Sequence, residues 1–189
     1  MNEDQNKLLP SPKSNRSDRS VKRTTTISGI GELQEKMVDK WREDTAAASL
    51  NRARSEFYEL RQRKYRYVLF NPEGKDKIVV GGTGERDKTF EDMVNEKEPT
   101  KADPCWIAFD MEYSKVEFGV ESQKSKIVLI IYAPDECSEP AKRARVLFQK
   151  AKFLKELTHE TGLNASLMEF TARKWKDLNE LLIQKSIHK

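Results

Sequence analysis

Apolar residues recur along this chain with two periods, one near four and one near two. Leu33, Met37 and Trp41 are four apart with Val38 beside them. That spacing predicts a helix with one apolar, core-facing side after Ser28-Gly29-Ile30-Gly31. Asp44 or Thr45 suits the cap of a second helix, whose stripe is Ala46, Ala47, Leu50, Ala53, Phe57 and Leu60. The pattern then shortens. Tyr65 to Phe70 and Lys77 to Val80 read as strands joined by a turn at Asn71-Pro72-Glu73-Gly74. Thr89 to Val94 reads as a short helix with Phe90, Met93 and Val94 inward, and Cys105 to Asp110 as a third strand. Residues 111–124 predict a hairpin arm with a charged tip.

The central strand is residues 126–133, where Ile127 to Ile131 runs without a polar side chain. Such a run fits a strand buried on both faces, and Pro134 ends it. Pro140 opens a helix to about Thr158, with Leu147, Ala151 and Leu154 on one side and Val146 and Phe153 near it. A short strand at Asn164 to Phe170 follows. Thr171 then caps a last helix with Trp175, Leu178 and Leu182 inward, and Ile183 to Lys189 fray. Strands mixed with helices in this order imply an α/β (α+β) fold, a central mixed sheet of five to six strands between helices.

Composition narrows the classes. The chain has 189 residues, 37% hydrophobic and 35% charged, enough for one core. No apolar run approaches a membrane span, and the N-terminus lacks the apolar core of a secretion signal. Two cysteines, Cys105 and Cys137, make no disulfide framework. Both read as reduced thiols of a cytosolic protein. Residues 1–27 hold six basic and three acidic residues and little to bury, so a disordered basic tail is expected there, ahead of one domain over residues 28–189. Within the tail, Lys22-Arg23 stand just before Thr24, Thr25, Thr26 and Ser28, a setting that suits a basophilic kinase. The remainder carries 29 basic and 28 acidic residues, unlike a nucleic-acid-binding body.

Catalytic chemistry finds few residues to use. His159 and His188 are the two histidines, and neither neighbours a cysteine or another histidine. Neither a metal ligand set nor a nucleophile–base pair follows, so the expectation is a protein without catalysis or cofactor. Gly81-Gly82-Thr83-Gly84 lacks the Gly-Lys-Ser/Thr of a phosphate loop, and Asp87 stands where a dinucleotide fingerprint needs glycine. It reads as a loose connection. Two basic clusters remain: Lys124 with Lys126, and Lys142 with Arg143 and Arg145. Cations at a helix start gain nothing from its dipole, so the second cluster fits either an acidic partner surface or a solvated turn.

Ser125-Lys126-Ile127-Val128 leading to Tyr132-Ala133-Pro134-Asp135 resembles the central strand of the ADF/cofilin family. Arg143-Ala144-Arg145-Val146-Leu147-Phe148 is similar to the start of its long actin-binding helix, and Cys105 to Asp110 to its third strand. Ser28-Gly29-Ile30 resembles its N-terminal Ser-Gly-Val. The resemblance covers about residues 28–185. It implies the ADF-homology fold and a monomeric, cytoplasmic protein of the actin cytoskeleton, with the nucleus left open as a further location. Its partners would be monomeric and filamentous actin, with phosphoinositides as a further ligand. Its activity would be filament depolymerisation or severing. A contact for both actin forms would comprise Ser28, Gly29, Ile30, Lys142, Arg143, Arg145 and Val146, with Val146 entering an apolar groove. Ser28 would be the regulatory phosphorylation position. A filament-specific contact would comprise Lys124, Lys126, Glu180 and Lys185. Val146 stands where the family has Met, and Phe148 where it has Tyr. A glia maturation factor-like action on the Arp2/3 complex is the alternative on the same fold, and a basic-tailed adaptor the alternative outside it.

Overall fold

The computed structural model describes residues 24–74, 77–158, 167–180 and 183, and the backbone alone at 24–31, 33, 99 and 117. The chain divides into two compact units, Met1–Trp41 and Arg42–Lys189. In the first, the described residues are helical. Helix α1 runs unbroken over Thr24–Arg61, so the expected division at Asp44 or Thr45 does not occur. Residues 32–61 contain no glycine or proline, and Ala46-Ala47-Ala48, the strongest helix formers, stand where the break was expected. Residues 24–27, expected in the tail, are helical as well. Met37, Val38 and Trp41 were expected in a core and are exposed.

The second unit is built on a five-stranded sheet in the order β2-β1-β3-β4-β5. The strands are β1 (Tyr65–Glu73), β2 (Lys77–Glu85), β3 (Cys105–Glu117), β4 (Val120–Tyr132) and β5 (Met168–Ala172). Every neighbour pair is antiparallel except β4 with β5, which are parallel. The mixed sheet expected from the alternation of elements is therefore present. Gly81 to Gly84 belong to β2 and are not a loose connection. The reason is steric: a Cβ on Gly84 would collide with the Tyr67 ring, which lies across it. Pro72 lies inside β1 and the expected turn comes later, with Gly74 at φ 62°.

Alternation along β3 and β4 sorts their residues into two cores. Trp106, Ala108, Leu129 and Ile131 pack with Phe57 and Leu60 of α1 and with Val146, Phe153 and Leu157. Ile107, Phe109, Met111, Val128, Ile130 and Tyr132 pack on the other face with Phe90, Met93, Leu178 and Ile183. Phe90 and Met93 come from α2 (Phe90–Lys97), which Thr89 caps with Asp92 in a reciprocal capping box.

The region beyond β4 departs from the single helix expected. Helix α3 (Pro140–Phe148) and helix α4 (Lys150–Thr158) are separated at Gln149. Gln149 is tied to both helices, its amide donating to the Arg145 carbonyl and its carbonyl accepting from the Phe153 amide, both at 2.8 Å. Thr171 lies in β5 and caps nothing. The cap instead is Asp177, whose carboxylate accepts from the Arg173 and Lys174 amides at 3.2 and 2.9 Å. Ile183, expected to fray, is fully buried. Gly162, Leu182, His159 and His188 lie outside the described residues.

Candidate functional site

Helix α3 begins at Pro140, whose fixed φ suits a first helical position. Its basic residues do different jobs. Arg143 pairs with Asp135 and donates through Nε to the Ala133 carbonyl at 3.3 Å. It therefore braces the bend where β4 ends. Lys142 pairs with Asp103 at 3.3 Å. Asp103 is itself held, because its carbonyl and that of Thr100 accept from the buried Lys97 ammonium at 3.1 and 3.2 Å. That ammonium also lies 5.1 Å from the Tyr132 ring centroid. Burial pushes the Tyr132 phenol up to about 12, and its hydroxyl donates to the Lys101 carbonyl at 2.5 Å. Arg145, by contrast, makes no side-chain hydrogen bond or ion pair among the described residues.

Val146 does not face outward. It is fully buried against the core that contains Phe153 and Leu157, and its carbonyl accepts from Trp106 Nε1 at 2.9 Å. The expectation that it enters a partner's groove is thus corrected. The outward apolar residue is Phe148, 83% exposed. Ala141, Arg145 and Phe148 recur at four- and three-residue spacing, with Ala144 between them, on one helical face. That face offers small residues for close approach, one uncommitted guanidinium and an aromatic ring.

The second basic cluster lies on the β3–β4 ribbon. Lys126 pairs with Met111 and Lys124 with Tyr113, so both lysines share the face of the Met111 core. Leu178 and Ile183, which flank Glu180, pack in that same core. Lys124, Lys126 and the Glu180 segment therefore belong to one side of the sheet, and α3 to the other. Ser28, Gly29 and Ile30 lie within α1, their side chains outside the described residues, as is Lys185. Where the ribbon leaves the core, Arg66 donates to Glu112 at 2.8 Å and Arg86 to Asp110 at 2.5 Å. The Arg66 hydrogen bond first, then the Arg66, Arg86 and Arg63 charges, hold the Glu112 carboxyl below its ordinary range.

Among the described residues no group of three or more His, Cys, Asp or Glu could hold a metal ion, and no helix is long and apolar enough to cross a membrane. A family model described as cofilin/tropomyosin-type actin-binding protein matches residues 47–188. The chain belongs to this family. Ser28 to Ile30 precede the matched residues; both basic clusters lie inside them. No curated protein is matched by the sequence. Three solved structures show the fold. The ADF-like UNC-60A protein of Caenorhabditis elegans has a TM-score of 0.57 at 16% identity, over 72% of this chain and 90% of its own. Actin depolymerization factor 2 of Plasmodium berghei gives 0.55 at 17%, over 73% and 94%. Coactosin of Entamoeba histolytica gives 0.52 at 20%, over 71% and 88%.

Phe148 was missed as the outward apolar residue of α3 because the motif position pointed to Val146 instead. Spacing held the signal: Val146, Phe153 and Leu157 recur at seven and four, the period of one buried helix face.

Proposed function

We propose that this chain binds actin, as monomer and as filament, and promotes filament disassembly by binding alone. One observation carries the reading. Two cation-bearing patches lie on opposite sides of one sheet, the Ala141–Arg145–Phe148 stripe on α3 and the Lys124–Lys126 face of the ribbon. A single flat partner surface meets one side of a sheet. Two neighbouring subunits of a polymer meet both. Guanidinium suits carboxylates bidentately, so the α3 stripe fits an acidic, partly apolar surface on one actin subunit. The ribbon lysines would reach the next. Holding two subunits in one preferred relation shifts the filament toward that geometry and away from its own, which weakens it without any bond being made or broken. Phosphoinositide headgroups would compete for the same cations, and the protein would work as a monomer at the actin cytoskeleton.

The test is co-sedimentation with filamentous actin, scoring bound protein and actin lost to the supernatant. Binding with actin released is the expected result. Binding with no actin released would overturn the disassembly part, and no binding to filament or monomer would overturn the whole reading.

A further inference from the structure

Beside the α3 stripe lies a cavity of about 200 Å³ lined by Ala46, Ala47, Leu50, Ile78, Trp106, Gln149, Lys152, Phe153 and Glu156. Its wall is a stacked pair, Trp106 and Phe153, with ring centroids 4.3 Å apart and planes within 10°. Its α1 side is formed by Leu50 and by two consecutive alanines, Ala46 and Ala47, whose small side chains leave the gap open. Ala47 and Lys152 are exposed, so the cavity opens on the surface. Side chains do not fill it: Phe148 precedes lining residue Gln149 and is 83% exposed instead of turned inward. A void of about 150 Å³ with an apolar lining already accepts a benzene-sized guest.

We infer that this cavity is a receptor for an apolar side chain of the actin subunit docked along α3. The inference deepens the actin reading above and rests on it. Continuity fixes the occupant. Gln149, which lines the cavity, directly follows Phe148, and its amide donates to the Arg145 carbonyl of the stripe at 2.8 Å. The stripe of exposed Ala141, half-buried Arg145 and exposed Phe148 therefore ends beside the cavity at Gln149. A partner lying on that stripe covers the opening. The apolar knob then belongs to the partner and the hole to this chain. This agrees with Val146 being spent in the core, which leaves Phe148 as the exposed large apolar side chain of α3. The hole selects an aliphatic, thioether or aromatic side chain, because most of its lining is apolar, with Gln149, Lys152 and Glu156 as the polar lining residues. Glu156 is already tied, accepting from Arg54 at 2.8 Å.

The experiment fills the hole. Ala46→Leu and Ala47→Leu each place a branched side chain into it, and Ala48→Leu makes the same change on the next residue, which does not line it. Each full-length variant is titrated against labelled monomeric actin, beside wild type and Arg145→Ala, with thermal unfolding followed in parallel. The expected result is affinity lower by about tenfold or more for Ala46→Leu and Ala47→Leu, as for loss of a central anchor, with Ala48→Leu at the wild-type value and unfolding temperatures not lowered. Ala47 is exposed, so its variant remains readable should Ala46→Leu disturb the fold. Wild-type affinity in Ala47→Leu together with weakened binding in Arg145→Ala would overturn the receptor cavity and leave the actin reading standing. Absence of binding by the wild-type chain would overturn both.

Discussion

Val146 and Phe148 are two residues apart on α3 and answer to different forces. Val146 is fully buried among Trp106, Phe153 and Leu157. Val146→Ala removes buried apolar volume and leaves a void, so it should lower unfolding free energy by about 2 kcal/mol in urea titration. Phe148 touches solvent, and Phe148→Ala should leave stability within about 0.5 kcal/mol of wild type. The same substitution should weaken actin binding in a pull-down, because it removes the ring from the stripe. The opposite pairing of results, with Val146 tolerant and Phe148 structural, would reverse the assignment made for α3. Helix phase held a signal that Val146 is core, in register with Phe153 and Leu157, but the motif reading overrode it and sent Val146 to a partner's groove. The fates of Lys142 and Arg143 were not legible. Their partners, Asp103 and Asp135, sit in connections whose course only tertiary structure sets. Three cations within four residues, Lys142, Arg143 and Arg145, read alike in sequence, and folding commits the first two.

At the level of elements, β1, the starts of β2 and β3, the core half of β4 and α2 were readable because their apolar patterns agree with the tertiary result, whereas β5 is Met168–Ala172 and takes in Thr171, read as a cap. The unbroken α1 and the strand identity of Gly81 to Gly84 were not. In the first case local cap chemistry lost to helix propensity; in the second the glycines serve a ring packed from β1. The β3–β4 turn shows a further local conflict. Phe118 has φ 54° and Gly119 φ 79°, the left-handed region at both central positions of a two-residue hairpin. A bulky residue is strained there, whereas Asn tolerates it. Phe118→Asn should therefore raise the urea midpoint, and Gly119→Ala should lower stability by about 1 kcal/mol. Equal midpoints for both variants would remove the strain argument. The base of the same ribbon sets an acid dependence. Glu112 is held below its ordinary range in the folded chain, chiefly by Arg66. A depressed folded value means the contribution is present above the unfolded value of about 4.3 and lost as pH falls through the folded one. Urea midpoints at neutral pH and below pH 4 should differ by less in Arg66→Gln than in wild type. An undiminished difference would show that other carboxylates carry the acid response.

For the molecule as a whole, the placement of the two patches matters more than their charge. Residues 28–189 carry nearly balanced charge, so long-range attraction supplies little and local geometry must supply specificity. The α3 stripe lies over the Trp106 core and the ribbon lysines on the Met111 face, with the sheet between them. If each patch meets a different subunit, their losses separate by the state of actin offered. Monomer presents one subunit and engages α3 alone. Filament presents two and gains from both, since the second contact forms within an assembly already tethered by the first. Lys124→Ala with Lys126→Ala should then leave titration of monomeric actin unchanged and reduce filament co-sedimentation by about tenfold or more. Arg145→Ala should weaken both. Raising salt should act in the same direction as the double substitution on filament binding, because screening weakens the attraction of the ribbon lysines for actin carboxylates. Equal loss of monomer and filament binding from the ribbon variant would mean that both patches touch a single subunit, and the sheet would no longer separate two subunits of a polymer.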